Sequence, residues 1–165
     1  MTPDLLQHLG PPPFRFVPTR PGVSSPAFSV AFKTVATGIV ALGAAWLASL
    51  WRAGALGSGP SSGVLWLLSG LALMLYTWWH IMTSRTRLDD TVLHQSWVWD
   101  KKLELRELAY GKLIRVRGLD WLIAPRLYAR TLLGKFAVFY TADPVLLADF
   151  ERLVRELQAF RQLER

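Results

Sequence analysis

Cysteine is absent from the chain. That excludes a disulfide scaffold, thiolate zinc sites, iron–sulfur clusters and a cysteine nucleophile, and it selects no redox compartment. Acidic residues are few, 12 against 19 Lys and Arg, for a formal net charge of +7. Two long runs carry no acidic or strongly basic residue at all. Apolar residues, in contrast, make up 52% of the chain and aromatic residues 12%, which is far from the composition of a disordered protein. A mean hydropathy of +0.25 is high for a soluble domain and low for a chain that lies wholly in a membrane. The apolar residues must therefore be concentrated.

They are concentrated in Thr34–Trp51, TVATGIVALGAAWLASLW, 18 residues without a charge, and Val64–Met82, VLWLLSGLALMLYTWWHIM, 19 residues whose one ionisable side chain is His80. As helices these span roughly 27 and 28 Å, close to the ~30 Å hydrocarbon core of a bilayer. The first can extend back to Phe28 if Lys33 snorkels towards the headgroups. Buried helices of a soluble bundle would keep a polar face, and these have none. Trp51, Trp78 and Trp79 stand near the ends, where indoles favour the membrane–water boundary. Ala53-Gly54-Ala55 resembles a signal-peptide cleavage site, but the apolar run is too long and its leader too proline-rich. Two transmembrane helices are expected.

The connection Arg52–Gly63 is short and rich in Gly and Ser, so the two helices form an antiparallel hairpin. Arg15, Arg20 and Lys33 precede it, Arg85, Arg87, Lys101 and Lys102 follow it, and Arg52 alone stands between. By the positive-inside bias a multi-pass protein of the cytoplasmic (inner) membrane with both termini cytoplasmic is expected. Thr37, Ala41, Ala45 and Ser49 recur every four residues as a small-residue stripe, expected to pack against the second helix.

Seven of the ten prolines fall in the first 26 residues, among them Pro11-Pro12-Pro13. Residues 1–27 therefore read as a flexible, extended tether, with Phe14 and Phe16 dipping into the interface. Residues 28–82 form the hairpin (34–51 and 64–82). From residue 83 the chain changes character, with 15 Lys/Arg, 11 Asp/Glu and short runs of period-two alternation. Strands are expected at Thr83–Leu88, Thr91–Trp99, Lys102–Leu108, Ile114–Leu119, Arg126–Leu132 and Lys135–Tyr140. Asp143-Pro144 then opens an amphipathic helix on which Leu146, Leu147, Phe150, Leu153, Val154, Leu157 and Phe160 recur at helical spacing.

Six to seven short antiparallel strands closed by one C-terminal helix resemble the pleckstrin-homology (PH) superfold, a bent sheet or barrel capped by its last helix. More narrowly, TRLDDTVLHQSW after the second apolar run, ELAYGKLIRV in mid-domain and the DPVLLADFERLVREL helix resemble small bacterial membrane proteins in which a two-helix hairpin leads into a bacterial PH-like domain. The resemblance implies a membrane α-helical hairpin followed by a cytoplasmic α+β domain at 83–165, acting as a noncatalytic binding or scaffolding module. It brings no catalytic signature.

The residues agree with that absence. His8, His80 and His94 are scattered, so neither zinc nor haem has a converging ligand set. His80, near the end of its span, reads as an interfacial anchor. Asp89-Asp90 reads as a turn, because adjacent strand residues point to opposite faces. Leu133-Gly134-Lys135 lacks the upstream Gly and the following Ser/Thr of a phosphate loop. No enzyme activity, metal or cofactor is expected. Between Lys101 and Lys135, nine basic residues face three acidic ones. Arg126, Tyr128 and Arg130 share a strand face, Lys135 lies past the turn, and Arg115 and Arg117 share a face of the preceding strand. This basic strip could engage membrane lipids with anionic headgroups or an acidic cytoplasmic protein, or be only a solvated face. Nucleic acid is a poorer fit, because the aromatics follow strand periodicity. The alternatives from other classes are an accessory subunit stabilising a larger membrane complex through its hairpin, and a membrane-bound enzyme with an unrecognised site.

Overall fold

The computed structural model describes residues 14–56 and 61–163. His8, Pro11, Pro12 and Pro13 lie outside those residues, as do positions 57–60 of the Gly/Ser connection. Two long helices, α1 (Val30–Arg52) and α2 (Ser62–Thr83), are each long and apolar enough to cross a membrane. Serine starts both: Ser29 Oγ accepts from Phe32 N at 3.1 Å, and Ser61 Oγ accepts from Val64 N at 3.4 Å. Neither helix forms the core of the folded domain, since α1 has no buried residue and α2 only Val64.

The helices meet along a seam rather than along the small-residue stripe. Half-buried Ala36, Val40, Gly43, Leu47 and Leu50 of α1 recur at three- and four-residue spacing, as do Leu67, Leu71, Met74, Trp78 and Ile81 of α2. A Cβ on Gly43 would come within 3.3 Å of Met74 Cε, so close approach is used there. Thr37, Ala41, Ala45 and Ser49 are all exposed, and of these Thr37 reaches across, its Oγ1 accepting from Trp78 Nε1 at 2.9 Å. The expectation for the stripe is corrected. Val40, Leu47 and Leu50 meet the larger side chains of α2 along this line, with Gly43 leaving room for Met74, and the fit gains dispersion contact.

The hairpin is an insertion between paired strands. Strand β1 (Ser24–Pro26) precedes it, β2 (Arg85–Leu88) follows it, and they run antiparallel with Ser24 opposite Arg87 and Pro26 opposite Arg85. Strands β3 (Val92–Gln95) and β4 (Lys101–Glu104) complete a sheet ordered β1-β2-β3-β4. After a 3₁₀ turn at Leu105–Glu107, β5 (Leu108–Ile114), β6 (Arg126–Thr131) and β7 (Phe136–Tyr140) form a second antiparallel sheet, β5-β6-β7. The seven strands thus form two sheets that do not close into one barrel. Buried Thr86 Oγ1 donates to Tyr140 O at 2.5 Å and Ala142 N to Pro26 O at 3.0 Å, bridging the sheets.

Helix α3 (Pro144–Leu163) lies on this frame, started by Asp143 Oδ1 accepting from Val145 N at 3.0 Å. Leu146, Phe150, Leu153 and Leu157 enter a core with Leu88, Leu93, Leu108, Leu127 and Phe139, while Val154 and Phe160 pack partly buried against it. The same core contains Phe14 and Phe16, only 4% and 2% exposed. The expectation of a flexible tail with these rings in the membrane interface is therefore corrected for residues 14–27. The rings are apolar bodies that α3 covers: Phe14 packs at a tilt against Phe160 with ring centres 5.6 Å apart, and the Arg152 guanidinium lies 4.8 Å over Phe16. Thr19 N and Oγ1 donate to buried Asp149 at 3.0 and 2.6 Å, fastening the lead-in to α3.

Three expected strands are also redrawn, Lys102–Leu108 being broken after Glu104 by the 3₁₀ turn. Thr91–Trp99 stops pairing at Gln95, and Ser96–Asp100 forms a turn carrying Trp97 and Trp99. Ile114–Leu119 is not a strand; β5 ends at Ile114 and residues 115–125 leave the sheet. Gly118 adopts φ 83°, a left-handed conformation that ends extended pairing, and Leu119 N donates to Val116 O at 3.0 Å in the same turn.

Candidate functional site

The basic strip is only partly assembled. Arg126, Tyr128 and Arg130 point outward from β6, alternating with buried Leu127, Ala129 and Thr131. Lys135 is exposed at the β6–β7 turn, where Gly134 has φ 82° and Thr131 Oγ1 accepts from Lys135 N at 3.1 Å. Arg115 and Arg117 sit in the loop after β5, not on a strand face, which corrects their expected placement. Arg115 donates to Asp120 Oδ2 and Glu151 Oε1, each at 2.9 Å, fixing the loop to α3. The hydrogen bond and charge of Asp120 raise the Arg115 pKa above its ordinary value. Arg115 is thus a clamp with its charge already matched, while Arg117 remains exposed.

The strand register adds a cation that the sequence reading left out of the strip. Lys112 stands opposite Tyr128, Tyr110 opposite Arg130, and Arg130 opposite Phe136. The outer face of the second sheet therefore interleaves Lys112, Arg126 and Arg130 with Tyr110, Tyr128 and Phe136. Tyr128 and Phe136 stack at 6.0 Å with an interplanar angle of 4°, and Phe136 stays 68% exposed. The face also has a direction. Arg126 is opposite Tyr140, whose ring touches Phe28 at 5.5 Å beside α1, whereas Arg130 lies about 13 Å further along β6.

A second feature lies where the hairpin meets the domain. Phe28 packs on Phe32, Trp97 and Tyr140 at 5.3, 5.3 and 5.5 Å, and Trp97 lies 6.2 Å from His80. Phe28, Phe32, Trp97 and Tyr140, with Ile81, Ile123 and Ala124, line a hollow of about 400 Å³ whose one charged residue is Lys101. Lys101 Nζ donates to Val138 O at 3.1 Å and lies 5.7 Å from the Tyr140 ring centre. Burial lowers its pKa from 10.5. The Trp121–Arg126 stretch, with no place in a simple alternation, closes this foot: Ser29 Oγ donates to Leu122 O at 3.1 Å. The sequence signal for the hollow was the aromatics at the start of the hairpin and after it, Phe28, Phe32 and Trp97.

Among the described residues, no three of His, Cys, Asp and Glu converge as metal ligands would. His80 rests against Tyr76 at 4.6 Å, and Asp89 pairs with Arg87 at 2.9 Å in the β2–β3 turn. No family model, curated protein or solved structure matches the chain.

Proposed function

We propose that this protein is a two-span membrane protein whose β domain is a noncatalytic binding or scaffolding module held at the cytoplasmic face of the inner membrane. The observation that carries this reading is the insertion of the hairpin between antiparallel neighbours β1 and β2. With its two feet on adjacent strands, a bilayer-crossing hairpin leaves residues on both sides of it on the same face of the membrane. The four-plus-three strand arrangement with a C-terminal helix is compatible with a PH-like superfold, its first strand supplied from before the hairpin. The Lys/Arg asymmetry favours the cytoplasmic side for the domain.

Binding is assigned to the outer face of β5-β6-β7, where cations and exposed aromatic rings suit an acidic protein segment. An accessory-subunit role is favoured by one observation: Ala41, Ala45 and Ser49 of the small-residue stripe stay exposed on α1 and can receive a helix of another subunit.

Because the chain has no cysteine, single substitutions test the topology directly. Ser61→Cys is expected to react with an impermeant thiol reagent added outside intact cells, and Lys102→Cys only after the membrane is opened. The reverse pattern, or equal labelling of both, would refute the orientation.

A further inference from the structure

The hollow at the hairpin foot adjoins a second one. A groove of about 360 Å³ runs between α1 and α2, walled by apolar side chains such as Ala36, Ile39, Met74 and Trp78. Phe32, Thr77 and Ile81 line both spaces, so the two adjoin at those three residues. Leu73, which lines its far part, lies eight positions before Ile81, about 12 Å along α2. Thr77 offers little polarity, because its Oγ1 donates back to Leu73 O at 2.9 Å. Together the adjoining spaces offer an apolar channel with one ammonium group at its foot.

That ammonium has donors available to a ligand. Lys101 is half-buried, and its one hydrogen bond among the described residues is to Val138 O, which leaves two of its three N–H donors. No carboxylate among the described residues pairs with it: Asp100 faces His94 at 3.7 Å and Glu104 pairs with Arg106 at 2.6 Å. A partly desolvated cation without a counter-charge is costly, and an anionic oxygen offsets that cost through charge-assisted hydrogen bonds.

We infer that the channel holds one anionic phospholipid of the surrounding bilayer, an acyl chain lying between α1 and α2 and the phosphate facing Lys101. This rests on the reading that the hairpin crosses the membrane. The shape argues for a lipid over a soluble anion, since the groove flanks are apolar and open, Ile39 being 55% and Leu73 65% exposed. In a bilayer those openings face acyl chains, and the foot lies at headgroup depth.

The test uses the full-length chain in mild detergent, read by native mass spectrometry during titration with phosphatidylglycerol or phosphatidylcholine of the same acyl chains. One phosphatidylglycerol is expected to bind with a preference of about tenfold, the worth of one charge-assisted hydrogen bond. Lys101→Gln removes the preference, Lys101→Arg keeps it, and Ile39→Trp, which narrows the groove at an exposed position, weakens both lipids. Circular dichroism and thermal scans confirm that each variant is folded. Equal binding of the two lipids, or a preference unmoved by Lys101→Gln, would overturn the inference. Glycerol 3-phosphate binding as tightly as phosphatidylglycerol would also overturn it, by reassigning Lys101 to a soluble phosphate. Release of the wild-type chain from membranes by alkaline carbonate refutes the spanning reading itself, whereas a retained chain that selects no lipid refutes only this site.

Discussion

Lys33 Nζ donates a hydrogen bond to the backbone carbonyl of Met82 at 3.1 Å, joining the first turn of α1 to the last turn of α2. The last carbonyls of a helix have no partner within it and carry its negative dipole end, so a cation there is doubly favoured. Lys33 therefore staples the feet of the hairpin instead of reaching for headgroups alone. Lys33→Met is expected to cost about 1 kcal/mol of stability, measured as earlier thermal unfolding of the detergent-solubilised chain. An unchanged midpoint would show that the bond contributes nothing net.

The lead-in is expected to matter as much as a core helix. Phe16 is 2% exposed and lies under Arg152, so Phe16→Ala removes a buried ring and leaves a cavity, a loss of roughly 3–5 kcal/mol. Asp149→Asn keeps the shape but weakens acceptance from Thr19 and Arg152, a smaller loss of about 1–2 kcal/mol. Denaturant titration of the two variants gives the comparison. A Phe16 variant as stable as the parent would return residues 14–20 to the role of a loose tether.

How much of this was legible in the sequence differs by element. The apolar runs and the Asp143-Pro144 helix start were readable because length, absence of charge and 3.6-residue periodicity are local signals. The lead-in was not, since its prolines signal extended chain, and extended chain is equally what an edge strand and a strap require. Strand β5 was hidden by Gly111. A buried glycine interrupts the apolar alternation, although its cause is tertiary: a Cβ there would lie 3.4 Å from Val154 Cγ2 and 3.6 Å from Leu157 Cδ2. Lys101 was counted only as one basic residue of many, because its desolvation depends on Tyr140 and Phe28, far away in sequence.

The Gly111 contact gives its own prediction. Alanine is tolerated if α3 shifts by tenths of an ångström, whereas Gly111→Val overpacks the strand–helix contact and costs about 1–3 kcal/mol. The double variant Gly111→Val with Leu157→Ala, which opens space on α3, is expected to lose less than the sum of the single changes. Strict additivity in denaturant titrations would place the strain elsewhere.

Lys101 fixes a pH dependence whose sign follows from burial. Its folded pKa is lowered from 10.5, so between the folded value and 10.5 the unfolded chain binds more protons than the folded one. Stability therefore rises with pH through that window. The contribution is expected to vanish in Lys101→Gln and to shrink when anionic lipid is present, since a counter-charge restores the amine towards its ordinary pKa. Thermal midpoints of both proteins from neutral pH to 10.5, with and without lipid, provide the measurement. Parallel curves for the parent and Lys101→Gln would contradict it.

The last prediction separates the two ends of the basic sheet face. Arg126 lies beside the hairpin foot, while Arg130 stands about 13 Å along the strand, beyond a Debye length of roughly 8 Å at physiological ionic strength. If the sheet stands away from the bilayer, attraction by an anionic leaflet fades before Arg130, leaving Arg130, Lys135 and Phe136 to a protein partner. A photoreactive residue replacing Trp121, which is 64% exposed in the loop tied to Ser29, is expected to capture lipid. One replacing Phe136 is expected to capture an acidic protein segment, with yield falling as salt rises and in Arg130→Glu. Arg126→Glu should leave that second yield nearly unchanged. If the Phe136 position captures lipid as efficiently as the Trp121 position, the sheet lies flat on the bilayer, and the cations of both ends serve the membrane rather than a protein.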